Sequence, residues 1–310
     1  MLDRSRRSDL LEILAGLQAP QKWIAPKWFY DKAGSALFER ITDLPEYYLT
    51  RTETAILRRH AADLAALVPP GGALVEIGSG ASVKTRLLLE AGAHFGSYVP
   101  IDISAAFLHD TADILRQRHP GLKIHPVVAD FTVDLPLPAA MSGEPVIGFF
   151  PGSTIGNLDP DAAIDLLARA RSWDGVAGFI LGADLVKPVP ELIAAYDDRA
   201  GVTAAFNLNV LSHLNAAFAA DFDLRAFKHV ARWCEDPARV EMHLVSRCDQ
   251  SVRIGGQVIR FAAGESIHTE SCRKYTAESL DALARAAGWK TERMLTDRDA
   301  RFAVAVLRST

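Results

Sequence analysis

The sequence predicts an α/β protein whose parallel sheet is accompanied by a second, inserted α+β domain. Short apolar segments alternate with helix-like segments between residues 73 and 183, which is the pattern of βαβ units on a buried parallel sheet. After about residue 187 the alternation gives way to one helical segment and several adjacent strand-like segments. The length of 310 residues fits about two domains.

The first fifty residues precede this alternation. They combine an amphipathic helix around Leu10–Leu17 with a segment rich in proline and aromatic residues, Pro26–Tyr48. Thr50 and Glu53 have the spacing of a capping box, in which a Ser or Thr and a Glu three residues later cap the start of a helix. We therefore predict a helix that begins there and ends before Pro69.

The strands and helices of the first domain follow in order. The predicted strands are Ala73–Ile77, Tyr98–Ile103, Ile124–Ala129, Val146–Phe150 and Gly178–Ala183. Helices are predicted around residues 82–92, 104–118 and 160–172. The last of these has the clearest start, because Asp159 is a favourable N-cap residue and Pro160 suits the first turn of a helix.

The rest of the chain predicts a second domain and the end of the first. A helix is expected over residues 200–220, and antiparallel strands at Val240–Ser246, Ser251–Ile254, Val258–Phe261 and Glu265–Glu270. Gly255-Gly256 predicts a hairpin turn. Thr276 and Gly288 bound a helix over Ala277–Ala287, and final strands lie near Lys290–Leu295 and Arg301–Leu307. The predicted domains are 52–186 with 277–310, and 1–51 with 187–276.

Composition and charge exclude several classes of protein. The net charge of −4 gives no basic excess for nucleic-acid binding. No apolar run reaches the ~18 residues of a membrane-spanning helix, and the first residues lack the apolar segment of a secretory signal. Three widely spaced cysteines without a CxxC pair suit thiols in a reducing cytoplasm. The nine histidines have no metal-ligand spacing, so we assign no metal.

Glycines and acids follow three consecutive predicted strands. The first strand runs into Glu76-Ile77-Gly78-Ser79-Gly80, where Gly78 and Gly80 permit a tight turn close to a ligand. Asp102 ends the second strand, where an acid accepts hydrogen bonds from ribose hydroxyls. Asp130 ends the third strand. Because ligands bind outside the carboxyl ends of the strands in such sheets, these positions predict a nucleoside-cofactor site.

The glycine spacing distinguishes between nucleoside cofactors. A dinucleotide site requires G-x-G-x-x-G, but the third position here is Val83. E-x-G-x-G with acids after strands two and three instead resembles the class I S-adenosylmethionine methyltransferases. Acidic surroundings suit the positive sulfonium of that cofactor. A nicotinamide oxidoreductase, or glycines that serve only a turn, are the alternatives.

Longer sequence strings narrow the resemblance. They are Trp28-Phe29-Tyr30-Asp31, Leu44-Pro45-Glu46-Tyr47-Tyr48, Phe149-Phe150-Pro151-Gly152-Ser153-Thr154-Ile155-Gly156-Asn157, Tyr196-Asp197-Asp198, Thr203-Ala204-Ala205-Phe206-Asn207 and His268-Thr269-Glu270 with Lys274-Tyr275. Together they resemble the histidine Nα-methyltransferases, which make hercynine on the way to ergothioneine. The resemblance extends over about residues 22–308.

This resemblance implies a division of the site residues between cofactor and substrate. S-adenosylmethionine would be held by Gly78, Lys84, Asp102, Asp130 and Phe131, with Gly80 in the same loop, and would leave as S-adenosylhomocysteine. Lys84 could pair with the cofactor carboxylate. In the amino-acid pocket, the carboxylate would be bound by Asn157 and Tyr196, the amine by Asn157 and the Gly152 backbone, and the imidazole by Glu270 with Met242 beside the ring. Tyr30 would orient the reacting amine as the catalytic position, and Tyr47 would line the same region.

One position departs from the family pattern. The family reads Thr-Glu-x-Ser-x-Lys, whereas Cys272 stands here at the serine position. A thiol is a weaker hydrogen-bond donor and acceptor than a hydroxyl. The adjacent Ser271 would face the other way on a strand. The substitution therefore bears on the identity of the substrate and not on the class of reaction.

The resemblance implies an S-adenosylmethionine-dependent N-methyltransferase that trimethylates free L-histidine. The alternatives are a related enzyme acting on another amino acid or aromatic amine, and a non-catalytic cofactor-binding module. We expect a cytoplasmic monomer with a small amino-acid substrate, which binds neither nucleic acid nor membrane. The two domains are expected to meet at a cleft where the sulfonium faces the substrate amine.

Overall fold

The chain folds as two units. The computed structural model describes residues 4–80 and 83–309. Unit 1 contains Met1–Tyr48 and Lys187–Cys272, and unit 2 contains Leu49–Val186 and Arg273–Thr310. The domains predicted from the sequence end at residues 51, 186 and 276, where the units of the structure end at residues 48, 186 and 272. The assignment of the cofactor to one domain and the amino acid to the other stays a prediction.

The helices and strands of the described residues are as follows. The helices are α1 (Arg4–Gln18), α2 (Lys32–Thr42), α3 (Tyr48–Ala65), α4 (Val83–Ala91), α5 (Ala105–Arg118), α6 (Pro160–Arg171), α7 (Val189–Tyr196), α8 (Val202–Phe218) and α9 (Ala277–Ala286). The strands are β1 (Lys22–Trp23), β2 (Ala73–Ile77), β3 (Ser97–Asp102), β4 (Lys123–Ile124), β5 (Val127–Val128), β6 (Val146–Phe150), β7 (Val176–Asp184), β8 (Phe227–Cys234), β9 (Arg239–Ser246), β10 (Gln250–Ile254), β11 (Gln257–Phe261), β12 (Ser266–Arg273), β13 (Trp289–Thr296) and β14 (Phe302–Ser309).

Unit 2 is built on an eight-stranded sheet. The order is β13-β14-β7-β6-β2-β3-β4, and β5 pairs with β3. The pairs from β4 to β7 are parallel, whereas β14 is antiparallel to both β7 and β13. Every residue of β2 and β6 is buried, as expected for central strands of a sheet covered on both faces. The predicted α/β fold is confirmed.

Most predicted elements of unit 2 are confirmed within one or two residues. The strands Ala73–Ile77 and Val146–Phe150 match to the residue. The predicted helix 82–92 corresponds to α4, and its residue 82 lies outside the described residues. The single strand Ile124–Ala129 is wrong, because it is divided into β4 and β5. Pro126 lies between the two, and proline has no N–H to donate to a sheet ladder.

The predicted capping box at Thr50 is also wrong. Helix α3 begins at Tyr48, so Thr50 lies inside it and its carbonyl accepts a hydrogen bond from the Thr54 hydroxyl at 2.6 Å. Tyr47 and Tyr48 are both buried, so tertiary packing fixes the helix start. The Glu53 side chain does not cap the helix. It is buried and bonds to the Gly152 N–H instead.

Two other predicted helix starts are confirmed in position. Asp159 is the N-cap residue of α6, although its side chain accepts no capping hydrogen bond. Thr276 and Ser279 form a reciprocal capping box at the start of α9.

Unit 1 contains a four-stranded sheet in the order β1-β12-β9-β8 and a separate hairpin of β10 and β11. Gly255 and Gly256 form the predicted hairpin turn, with φ of 56° and 79°. Helix α8 matches the predicted helix 200–220 closely. Strand β8 and helices α2 and α7 were not predicted.

Candidate active site

The glycine loop after β2 is fastened to the end of β3. The N–H groups of Gly78 and Ser79 donate to the Ile101 carbonyl at 2.8 and 3.2 Å. The Gly80 N–H donates to Asp102 Oδ2 at 2.9 Å. Gly78 and Gly80 have φ of 66° and 47°, a backbone conformation that costs glycine little and other residues more.

Asp102 joins this loop to the next helix. Its second oxygen, Oδ1, accepts the Ser104 N–H at 2.9 Å. An ionised carboxylate has about four lone-pair sites, and two of them are used by these backbone groups. Two acceptor sites are therefore left for hydroxyl groups of a ligand, which is the chemistry that a ribose requires.

Asp130 and Phe131 follow β5 in the same unit. Asp130 Oδ1 accepts hydrogen bonds from the Thr132 N–H at 2.9 Å and the Thr132 hydroxyl at 2.5 Å. An added Cβ on Gly78 would lie 3.7 Å from the Phe131 ring, so this ring lies beside the glycine loop. Unit 2 therefore brings together the cofactor positions predicted after its three strands.

Glu76 is a buried acid near the end of β2, just before the glycine loop. It accepts a hydrogen bond from the Tyr98 hydroxyl. Burial raises the pKa of Glu76 to about 7, although the Tyr98 hydrogen bond and the charge of Lys84 oppose this shift. Glu76 thus titrates near neutrality, which its place in the motif did not predict.

Lys84 and Gly152 share a partner that the sequence analysis did not identify. Lys84 Nζ lies 2.5 Å from Glu53 Oε2. The Gly152 N–H donates to both oxygens of the same carboxylate, at 3.0 Å to Oε1 and 2.9 Å to Oε2. The sequence pattern predicts a capping role for Glu53, and only these long-range contacts show that it binds Lys84 and Gly152 instead.

The turn after β6 leads from Gly152 to Asn157. Gly152 and Ser153 have φ of 82° and 60°, so two consecutive residues are left-handed. The Ser153 hydroxyl accepts the Asp184 N–H at 2.9 Å and fixes this conformation. Asn157 ends the short 3₁₀-helix Thr154–Asn157 and is half-buried.

Unit 1 contains the three predicted site tyrosines in one aromatic cluster. The Tyr47 ring lies 6.4 Å from Tyr196 and 6.3 Å from Phe38, measured between centroids. Phe38 lies 6.0 Å from Tyr30, and Phe206 contacts both Tyr30 and Phe38. Phe38 and Phe206 thus connect Tyr30, Tyr47 and Tyr196, although their own roles were not predicted.

The predicted imidazole-binding residues lie on β9 and β12. Glu270 is 8 % exposed and Cys272 is 4 % exposed, and Met242 is buried as well. The buried residues of β12 do not alternate strictly, because Thr269 and Glu270 are both buried. Ser271 is only half-buried and its hydroxyl lies 3.0 Å from His268 Nε2.

A buried polar network connects β12 to the end of α7. The Thr269 hydroxyl lies 2.8 Å from Asn207 Oδ1. Asn207 Nδ2 lies 2.8 Å from His229 Nδ1, and His229 Nε2 lies 2.8 Å from the Tyr196 carbonyl. The partners assign the neutral tautomer in which Nε2 carries the proton. Burial lowers the pKa of His229. The hydrogen bond to the Tyr196 carbonyl and the nearby carboxylates act in the opposite direction, but their effect is smaller.

Comparison with known proteins gives the family. A family model described as histidine-specific methyltransferase, SAM-dependent, matches residues 9–309. The chain belongs to the S-adenosylmethionine-dependent, histidine-specific methyltransferases. It is 42 % identical to the histidine N-alpha-methyltransferase of Mycolicibacterium smegmatis, over 95 % of this chain and 93 % of that protein. The protein of the same name from Mycobacterium tuberculosis has the same identity and coverage. Ergothioneine biosynthesis protein 1 of Neurospora crassa is 29 % identical over 84 % of this chain and 30 % of its own length.

The cofactor of this histidine-specific methyltransferase is S-adenosylmethionine, and the glycine loop fits it. In a phosphate-binding loop the backbone N–H groups point at the phosphate. Here the N–H groups of Gly78, Ser79 and Gly80 are bonded to the Ile101 carbonyl and Asp102. These three N–H groups are therefore not available to a pyrophosphate, and the acidic side chains beside them suit a sulfonium. An S-adenosylmethionine-dependent methyltransferase is confirmed.

Within this methyltransferase the predicted site residues are divided between the units. Unit 2 contains Gly78, Gly80, Lys84, Asp102, Asp130, Phe131, Gly152 and Asn157, and unit 1 contains Tyr30, Tyr47, Tyr196, Met242, Glu270 and Cys272. The role of each stays a prediction. Among the described residues there is no group of three or more His, Cys, Asp or Glu side chains that could hold a metal ion. No helix in the described part of the chain is long and apolar enough to cross a bilayer.

Proposed function

We propose that this chain transfers methyl groups to the α-amino nitrogen of free L-histidine in three rounds, giving hercynine as a step of ergothioneine biosynthesis. Two relatives are named histidine N-alpha-methyltransferase, and a third is named for ergothioneine biosynthesis. Within the chain, the observation that carries the proposal is the burial of Glu270, a residue that is 8 % exposed.

A buried carboxylate requires hydrogen-bond donors, because its desolvation is otherwise costly. An imidazole N–H is such a donor and forms a charge-assisted hydrogen bond. We assign the substrate imidazole to Glu270, with Met242 beside the ring. A substrate without an imidazole would leave this carboxylate with fewer partners, so the site should reject it by several orders of magnitude.

The zwitterionic end of the substrate is assigned to other residues. Asn157 and Tyr196 bind the carboxylate, and Asn157 with the Gly152 backbone holds the amine. The structure around Gly152 is consistent with holding the amine, because its left-handed turn has a fixed conformation. The Gly152 N–H is bonded to Glu53, and the Ser153 hydroxyl is bonded to the Asp184 N–H. Tyr30 and Tyr47 line the region of the reacting amine.

The chemistry requires little from the protein beyond alignment and a free amine. When bound, S-adenosylmethionine supplies a methyl group on a positive sulfur and leaves as S-adenosylhomocysteine. The protein orients the amine at about 3 Å from the methyl carbon, and Tyr30 directs the amine lone pair. An ammonium has no lone pair, so each round requires loss of a proton to solvent. Desolvation among aromatic side chains favours the neutral amine.

The aromatic cluster supports repeated methylation. Each added methyl group removes an N–H donor and adds volume, and the final product carries a quaternary ammonium. The faces of Tyr30, Tyr47 and Tyr196 attract such a cation by ~0.5–2 kcal/mol. A pocket built from tyrosine faces therefore tolerates the product of each round.

Cys272 favours one alternative function. It is buried at the position where the family has serine, and its thiol is the weaker hydrogen-bonding group. If Glu270 alone cannot select the imidazole, the chain is a related Nα-methyltransferase whose substrate is a different amino acid or an aromatic amine.

A substrate panel tests the proposal. The protein is incubated with S-adenosylmethionine and, in separate reactions, with each of the twenty amino acids, mono- and dimethylhistidine, and a set of aromatic amines. Products are identified by mass. The expected result is methylated histidine as the main product, with mono- and dimethylhistidine also accepted as substrates. Preferred methylation of another amino acid supports the alternative, and no product with any of them refutes both.

A further inference from the structure

Glu53 lies at a position that the proposed site does not explain. It is on α3 and fully buried, at 0 % exposed. Its carboxylate accepts the Gly152 N–H with both oxygens, at 3.0 and 2.9 Å, and forms an ion pair with Lys84 at 2.5 Å. One carboxylate therefore contacts a residue assigned to the substrate and a residue assigned to the cofactor.

The surrounding backbone is shaped to receive this carboxylate. A Cβ added to Gly182 on β7 would lie 2.1 Å from Glu53 Oε1, so a side chain at 182 would displace it. A Cβ added to Gly152 would lie 3.4 Å from Lys84 Nζ. The Lys84 ammonium thus lies directly beside the Gly152 turn, and glycine at 182 leaves the space that Glu53 fills.

The charges of this cluster depend on each other. A buried carboxylate without partners is strongly destabilising, and an ion pair with additional hydrogen bonds compensates for its desolvation. Lys84 supplies the opposite charge, and the Gly152 N–H supplies a charge-assisted hydrogen bond. An ammonium has three donors, so Lys84 can bond to Glu53 and to a second carboxylate together.

We propose that Glu53 is a positioning residue that orients Lys84 toward the cofactor carboxylate and, through the Gly152 N–H, holds the turn that carries the substrate amine. This inference rests on the roles of Lys84 and Gly152 in the proposed function. Because one carboxylate holds both groups, its loss weakens cofactor and substrate binding together. Any coupling between the two ligands through Glu53 is reciprocal.

A double-mutant cycle with Glu53→Gln and Lys84→Met tests this inference. Cofactor affinity is measured by calorimetry without amino acid, and the KM of the amino acid is measured at saturating cofactor. Glu53→Gln keeps the shape but removes the charge, so we expect cofactor Kd and histidine KM each to rise about tenfold, the effect of losing a charge-assisted hydrogen bond. Asp63→Asn, an exposed change on the same helix with a side chain 64 % exposed, should leave both unchanged.

The Lys84→Met background separates positioning from general damage. There, Glu53→Gln should cause no further rise in cofactor Kd, because that effect acts through Lys84. It should still raise the KM, through Gly152. It should also raise Tm, because it removes a buried charge that has lost the opposite charge of Lys84. General structural damage would instead change Kd equally in both backgrounds.

Two results would overturn the inference: unchanged Kd and KM in Glu53→Gln, or an equal effect on Kd with and without Lys84. If Glu53→Gln does not fold, Glu53→Met, which is also uncharged and of similar length, replaces it in the same cycle under the same criteria. The cofactor titration contains no amino acid. It therefore tests Glu53 even if histidine is not the substrate, and the KM is then measured with the amino acid that the panel identifies.

Discussion

The carboxylate of Asp102 accepts the Gly80 N–H at 2.9 Å, which joins the glycine loop directly to the end of β3. One side chain therefore shapes the loop and offers its remaining lone pairs to a ribose. This pairing makes the cofactor site sensitive to a single substitution.

Asp102→Ala should weaken S-adenosylmethionine binding by about ten- to a hundredfold, because it removes ribose hydrogen bonds to a charged acceptor. It also leaves the Gly80 N–H without this partner. Titration calorimetry measures the effect, with Asp110→Asn on the exposed face of α5 as the control. An unchanged Kd would remove Asp102 from the ribose role.

Glu270→Gln should reduce histidine turnover sharply while cofactor affinity stays the same. The amide keeps the size of the side chain but cannot form the charge-assisted bond to the imidazole, so kcat/KM should fall at least about tenfold. Steady-state kinetics and a separate cofactor titration check this. If turnover and cofactor binding fall together, the assignment of Glu270 to the substrate is wrong.

Cys272→Ser restores the residue type of the family pattern. A hydroxyl is the stronger hydrogen-bonding group, so the KM for histidine should fall severalfold, by about the ~1 kcal/mol of one hydrogen bond. The measurement is the ratio of kcat/KM for histidine to that for the next best amino acid, in both proteins. A lower ratio in the serine variant would show that the thiol suits the natural substrate better.

Glu76 predicts a pH dependence of stability. Its pKa is raised from 4.5 to about 7, so between these values the native protein keeps a proton that the unfolded chain has lost. The stabilising contribution is complete below pH 4.5 and is lost as the pH rises through 7. Other groups titrate in the same range, so the difference in free energy of unfolding between the wild type and Glu76→Gln is the relevant quantity. From pH 4.5 to 7.5 the wild type should lose stability relative to Glu76→Gln. A difference in free energy of unfolding that stays constant over this range would contradict the raised pKa.

Asn207→Asp tests the buried network of unit 1. The change keeps an acceptor for Thr269 but replaces the donor that faces His229 Nδ1 with a second acceptor. At pH 8 the variant should be less stable by ~1–3 kcal/mol. The loss should shrink toward pH 5.5, because protonated His229 can donate through Nδ1 to the introduced carboxylate. Chemical denaturation at several pH values measures this, and a loss independent of pH would refute the network as assigned.

The sequence predicts best where burial is complete or a turn is local. Strand β6 is apolar throughout and β2 is apolar except for Glu76, so their limits follow from the sequence alone. Asp102 and the glycine loop follow from the order of strands and helices. Strand β8 was missed because most of its residues are only half-buried, and because the exposed side chains of Lys228 and Arg232 interrupt its apolar residues.

The wrong role of Glu53 and the missed role of Asn207 have a common physical cause. Thr50 and Glu53 fit a local capping pattern, but Glu53 bonds to Gly152, 99 residues away in the sequence. Asn207 contacts Thr269 across 62 residues and His229 across 22. No local periodicity encodes such contacts, because they depend on how the elements pack. The resemblance to the family includes the sequence string that ends at Asn207, but it does not give the role of Asn207.

The most direct test of the central claim uses isotope labels on both reactants. The protein is incubated with methyl-13C S-adenosylmethionine and histidine labelled with 15N at the α-amino group, and the product is examined by NMR. Methyl carbons coupled to the α-nitrogen, three for each histidine, are the predicted result. Methyl carbons on a ring nitrogen, or no labelled histidine product, would contradict it.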